Sequence, residues 1–140
     1  GVIVGWRPHT SVGEFGLAIL LLLAFSAAII WVGLFLGLLV RSPDAVMGVG
    51  FVAVFPLTFL SSAFVPIASM PSALQWFASV NPISVLVAAV RTLFGNPLAP
   101  VTKHTWPLDH PVAASWMYVA VVLVFALVAA RRRYAARTTD

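Results

Sequence analysis

Cysteine is absent from all 140 residues, which excludes a disulfide framework, a thiol nucleophile and a thiolate metal site. Charge is nearly as scarce: 9% of the chain is Asp, Glu, Lys or Arg, against 61% hydrophobic residues. Soluble domains run at about one-half apolar and one-quarter charged, and a mean hydropathy of +1.04 sets this chain apart from them. Several kinds of chemistry are missing as well. There is no phosphate-cradling Gly-rich loop with a lysine, so the chain cannot hydrolyse a nucleotide by itself. Ser61 and Ser62 lack the glycine elbow of a nucleophilic serine and have neither His nor carboxylate close by in sequence. No charged segment precedes a short apolar stretch and a cleavage site, so no signal peptide is read. The chain begins at Gly1 rather than Met, as a piece of a longer protein would.

What the sequence has instead is long apolar runs. Crossing a bilayer takes about 20 residues at roughly 1.5 Å of rise each, and three segments meet that need, at about 15–40, 45–65 and 112–130. None carries a charged side chain, where one at mid-membrane would cost about 2.5 to 3.5 kcal/mol. Enzymes that work inside a membrane keep ionisable residues in their spans, and these spans have none. The expected fold is an all-α membrane protein with three transmembrane helices.

The net charge of +4 could suggest nucleic acid, but half of the eight basic residues (Arg131, Arg132, Arg133 and Arg137) directly follow the third span. Arginines so placed mark a cytoplasmic end and a membrane partner, with no nucleic acid implied. The tail 131–140 and the turn Arg41-Ser42-Pro43-Asp44 then lie inside, and residues 1–14 and 66–111 outside. Arg41 joins the four C-terminal arginines on the inner side, and Arg7, Arg91 and Lys103 are left outside. The tail reads as short and solvated.

Two features within the spans call for a physical reason. Gly33 and Gly37, with Ala24 and Ala28 on the same four-residue spacing further up, read as a helix-packing face, because in lipid close backbone approach at small residues replaces the hydrophobic gain. The second span is interrupted by Pro56, Ser61 and Ser62 and followed by Pro66 and Pro71. Pro56 removes one backbone bond, the serines can satisfy freed carbonyls, and Pro66 stops the helix at the surface.

Beyond it, "SMPSALQWFASVNPISVLVAAVRTLFG" (69–95) holds two short helical patterns separated by Asn81-Pro82. Asn81 suits an N-cap, Pro82 the first helical position and Gly95 a stop. Ile83, Leu86, Val87, Val90 and Phe94 recur at helical spacing, with Ser84, Ala88 and Arg91 on another face. A segment that is apolar, proline-flanked and too short to cross fits an external re-entrant or interfacial helical hairpin over about 66–95. Arg91, late in the second helix, could complement the helix dipole, snorkel to the interface, or meet a phosphate or carboxylate.

The remaining polar residues are few. His9, Glu14, His104, Asp109 and His110 all fall on the outer side. His104, Asp109 and His110 could be drawn as a metal site, but they sit among prolines and threonines without ligand spacing. A solvated connection is the reading adopted, with no metal and no catalytic residue.

The stretch "FPLTFLSSAFVPIASMPSALQWFASVNPISVLVAAVRTLFGN", Phe55 to Asn96, closely resembles the signature region of type-2 ABC exporter permeases, in particular their daunorubicin-resistance branch. "GLLVRSPDAVMGVGF" and the arginine-tailed last span look like the family too. The resemblance implies the C-terminal half of a six-span permease, matching spans four to six. Pro66 to Gly95, including Pro71, Asn81, Pro82 and Arg91, would cap the pathway outside. Arg41, Ser42, Pro43 and Asp44 would face an ABC ATP-binding subunit, and two permease copies would form the pathway. The chain would bind no cofactor, ATP being held by that partner. Function would then be outward movement of a hydrophobic or amphipathic solute across the cell membrane. A non-transporting membrane scaffold or assembly protein is the alternative, since it needs the same spans but no ATPase.

Overall fold

A computed structural model describes residues 10–39, 42–96 and 104–137 of the chain. Among them every regular element is a helix: α1 (Val12–Leu39), α2 (Pro43–Phe59), a 3-10 turn (Ile67–Ser69), α3 (Ser72–Val80), α4 (Pro82–Leu93), the single-turn α5 (Trp106–Asp109) and α6 (Pro111–Arg137). Arg7, His9, Arg41 and Lys103 lie outside the described residues.

α1 starts three residues earlier than hydropathy suggests, because Ser11 and Glu14 form a reciprocal cap. The Glu14 amide donates to Ser11 Oγ at 3.3 Å and the Ser11 amide to Glu14 Oε2 at 3.0 Å, satisfying two N-terminal donors at once. α1 and α6 are the two helices long and apolar enough to cross a membrane, over Val12–Gly37 and Pro111–Ala129. α6 then continues as helix through the arginine cluster to Arg137, where a short tail was expected.

α2 is shorter than the apolar run expected to form the second span and shorter than a candidate membrane-crossing helix. α2 ends at Phe59 after 17 residues, six before the expected Val65. At 1.5 Å per residue it is about 25 Å long, against about 30 Å of hydrocarbon. Its start is set by Ser42, whose hydroxyl accepts the Ala45 amide at 3.3 Å, with Pro43 in the first turn. Its end is set at Leu60 and Ser61 rather than at Pro66: the Ser61 hydroxyl donates to the Thr58 carbonyl at 2.6 Å and takes up one of the helix's last acceptors.

α3 and α4 are two helices bent by 66° at Asn81, as the Asn-Pro pair predicts. α4 closes on Gly95, which has a φ of 71°. The Asn96 amide reaches the Arg91 carbonyl at 2.9 Å and the Gly95 amide reaches Thr92 at 3.0 Å, a Schellman ending that needs glycine in the left-handed region.

α4 packs through its face of small residues. Ser84, Val85, Ala88, Ala89 and Leu93 are buried, and Ile83, Leu86, Val87 and Val90 only half so. Small residues win because they let α4 approach α1 and α6 closely. Ala18, Leu21, Ala89 and Leu93 form that core, flanked by Leu86, Phe94, Val112 and Trp116. A second cluster of Ile67, Met70 and Ala78, with Leu74 and Leu108, seats the 3-10 turn and α5 against α3.

The four small residues of α1 do not share one face. At about 100° per residue, the five-residue step from Ala28 to Gly33 turns the helix by roughly 140°. Ala28 is buried and Ala24 half-buried, whereas a Cβ placed on Gly33 or Gly37 would meet nothing within 4 Å.

Candidate functional site

α2 is the loosest element of the bundle. None of its described side chains is buried. Phe51, Phe55 and Phe59 recur every four residues along it, and with Phe64 they form a ladder of neighbouring rings with centroids 5.0, 4.3 and 5.6 Å apart. All four rings are exposed.

Where α2 stops, the chain gathers buried polar side chains. Ser61, Ser79, Asn81 and Ser84 are all closed to solvent. The Asn81 Oδ1 accepts the Ile83 amide at 2.9 Å, capping α4. Its Nδ2 donates across to α2, to the Leu57 carbonyl at 2.7 Å and the Leu60 carbonyl at 3.4 Å. One turn on, the Ser62 amide donates to Ser84 Oγ at 2.9 Å, and the Ser62 hydroxyl to the Ser84 carbonyl at 3.4 Å. Carbonyls that end a helix at membrane depth must find protein donors or a wet cavity, and Asn81 supplies the donor. Ser61 and Ser62 thus divide the labour: Ser61 serves the end of α2 and Ser62 ties it to α4.

The end of α3 is held in the same manner. Tyr118 of α6 donates to the Val80 carbonyl at 3.0 Å and Thr105 to the Ser79 carbonyl at 3.4 Å, while Gln75 Nε2 donates to Met70 at 2.8 Å. Ser115, one turn before Tyr118, is fully buried, and among the described residues its hydroxyl has no partner.

Other residues singled out by the sequence lie apart from this junction. Pro66 and Pro71 flank the 3-10 turn, each leading into a helix, and Arg91 is exposed in the last turn of α4. Ser42 and Asp44 are exposed at the start of α2, far along the helix from Asn81. His104 Nδ1 pairs with Asp109 Oδ1 at 2.9 Å, and the His110 ring stacks on Trp106. Among the described residues no three His, Asp or Glu side chains converge as metal ligands would.

Residues 1–94 match the family described as ABC-2 type transporter. The chain belongs to the ABC-2 type transporter family. Over 122 residues the ABC-2 chain is 32% identical to the daunorubicin resistance ABC transporter permease protein DrrB1 of Streptomyces coeruleorubidus, an alignment covering 86% of this chain and 41% of the relative. It therefore spans less than half of that relative's length. No solved structure matches it.

Within this ABC-2 chain, Ser84, Thr105, Tyr118 and Ser115 escape sequence reasoning. One signal was available for Tyr118: a hydroxyl inside an apolar span has to find an acceptor. The second role of Asn81, toward α2, gives no local signal, since its partners Leu57 and Leu60 are backbone groups 24 and 21 residues away.

Proposed function

We propose that this chain is the C-terminal part of the permease of an ATP-driven exporter, moving a hydrophobic or amphipathic solute outward across the cell membrane. Family membership is the observation that carries the reading, and the relative's name, which pairs a permease with daunorubicin resistance, supports it. The absence of ionisable side chains along the apolar cores of α1, α2 and α6 suits apolar cargo. The open Phe51–Phe64 ladder offers faces on which a planar apolar solute could stack.

In this reading a separate ABC ATP-binding subunit supplies the energy. The turn of Arg41, Ser42, Pro43 and Asp44 faces it, and a second permease copy completes the pathway. The α3–α4 pair, with Pro66, Pro71, Asn81, Pro82, Arg91 and Gly95, roofs the pathway on the outer side. The chain does no chemistry of its own.

The test is efflux. Cells producing the complete protein together with its cognate ATP-binding subunit, loaded with daunorubicin and followed by its fluorescence, should empty faster than cells producing either alone. A rate indifferent to the ATP-binding subunit, with that subunit failing to co-purify, favours the scaffold reading instead.

A further inference from the structure

The end of α2, a helix with no buried side chain among its described residues, is fastened to the α3–α4 pair by hydrogen bonds to Asn81 and Ser84. Asn81 is committed at both ends of its carboxamide. Its oxygen is taken by the Ile83 amide of α4, which fixes the rotation of the group and leaves its NH2 aimed at the Leu57 and Leu60 carbonyls of α2. A hydrogen-bond acceptor alone would cap α4; only a group with donor and acceptor on one plane does both. At 2% exposure the Asn81 side chain is closed off within the chain.

We propose that Asn81 is a positioning residue for transport: its carboxamide clasps the end of α2 to the start of α4, so that α2 and the α3–α4 pair move as one body when the permease changes state. The inference rests on the export reading above. A movement begun at the Ser42 end of α2 travels along a helix with little lateral support and reaches the helical pair at the clasp, with the Ser62–Ser84 pair as its second point of attachment.

Capping and clasping can be separated because Asn, Asp and Ser are nearly equivalent as N-caps. Asn81→Asp and Asn81→Ser keep an acceptor for Ile83 but give α2 no NH2; the aspartate also turns oxygen toward the Leu57 carbonyl. In the complete protein with its ATP-binding subunit, daunorubicin efflux should fall about tenfold in both variants, the scale of one lost buried hydrogen bond. These 140 residues hold no cysteine, so with any cysteine elsewhere in the complete protein replaced by alanine, the double variant S62C/S84C offers a clean second tether. Its oxidation should leave efflux unchanged in the parent and restore it in Asn81→Ser, with reductant abolishing the rescue.

Wild-type efflux by Asn81→Asp and Asn81→Ser would reduce Asn81 to a cap and overturn the proposal. Efflux blocked by the S62C/S84C disulfide in the parent would overturn it too, since the joint would then have to open. If Asn81→Ser does not accumulate in membranes, the disulfide in the parent decides alone: unchanged efflux supports one-body movement and blocked efflux refutes it. Absence of efflux in the unmodified protein would instead count against the export reading, and the two failures are distinguished by that lane.

Discussion

Buried polar side chains set the character of this chain residue by residue, and they fall into two kinds. Asn81 uses its acceptor and its donor, so its loss would orphan groups on both α4 and α2, at about 1–3 kcal/mol for each buried group left unpaired. Ser115 is the opposite case. Among the described residues its buried hydroxyl has no partner, and a hydroxyl buried without a bond carries a desolvation cost. Ser115→Ala should therefore leave stability unchanged or raise it by about 1 kcal/mol, measured by thermal unfolding of the purified complete protein in detergent. A loss of stability of more than about 1 kcal/mol would mean that the hydroxyl has a partner after all. The N-cap role of Asn81 was legible in the Asn-Pro pair because capping is local. Its reach to α2 and the strandedness of Ser115 depend on where distant helices pass, which no local pattern encodes.

At the scale of elements, helix identity was legible and helix ends were less so. Apolar runs and the Asn81-Pro82 and Gly95 signals located α1, α3, α4 and α6, because propensity and capping act within a few residues. α2 was read too long, since Leu60 to Val65 is as oily as the helix before it and only the serine hydroxyls and the distant Asn81 divert that backbone. Helical spacing separates the two faces of α4 without saying which one packs: in lipid the bulky apolar face can remain outward while the small face goes in. That rule bears on Gly33 and Gly37. Among the described residues, outside its own helical turn, nothing lies within 4 Å of a Cβ placed on either, so a side chain begun there meets no packed neighbour and would raise helix propensity. We propose that the face they line packs against a second copy or another part of the same transporter, so Gly33→Leu/Gly37→Leu is expected to insert and accumulate like the parent while losing efflux. Efflux at the parent rate would remove that packing role.

For the molecule as a whole, sidedness is the property on which the transport reading turns. The positive-inside rule counts basic residues near span ends, and Arg41 with the arginines of 131–137 outnumbers Arg7, Arg91 and Lys103. On that count we propose that the Ser42 end of α2 is cytoplasmic and that the Asn81 junction lies toward the outer face. α2, at about 25 Å, is too short to carry its end clear of a hydrocarbon layer about 30 Å thick, which is why that end requires buried donors and a helical roof. The opposite orientation would place the roof and the exposed His104 and Trp106 in the cytosol and the arginine cluster outside. These 140 residues hold no cysteine, so single cysteines placed in them, with any elsewhere in the complete protein replaced by alanine, make the distinction direct. In intact cells a membrane-impermeant maleimide should label Ala73→Cys and His104→Cys, both at exposed positions, and should reach the equally exposed Asp44→Cys only after permeabilisation. Labelling in the reverse pattern would put the α3–α4 pair beside the ATP-binding subunit, and a roof over an outward path would no longer be physically available to it.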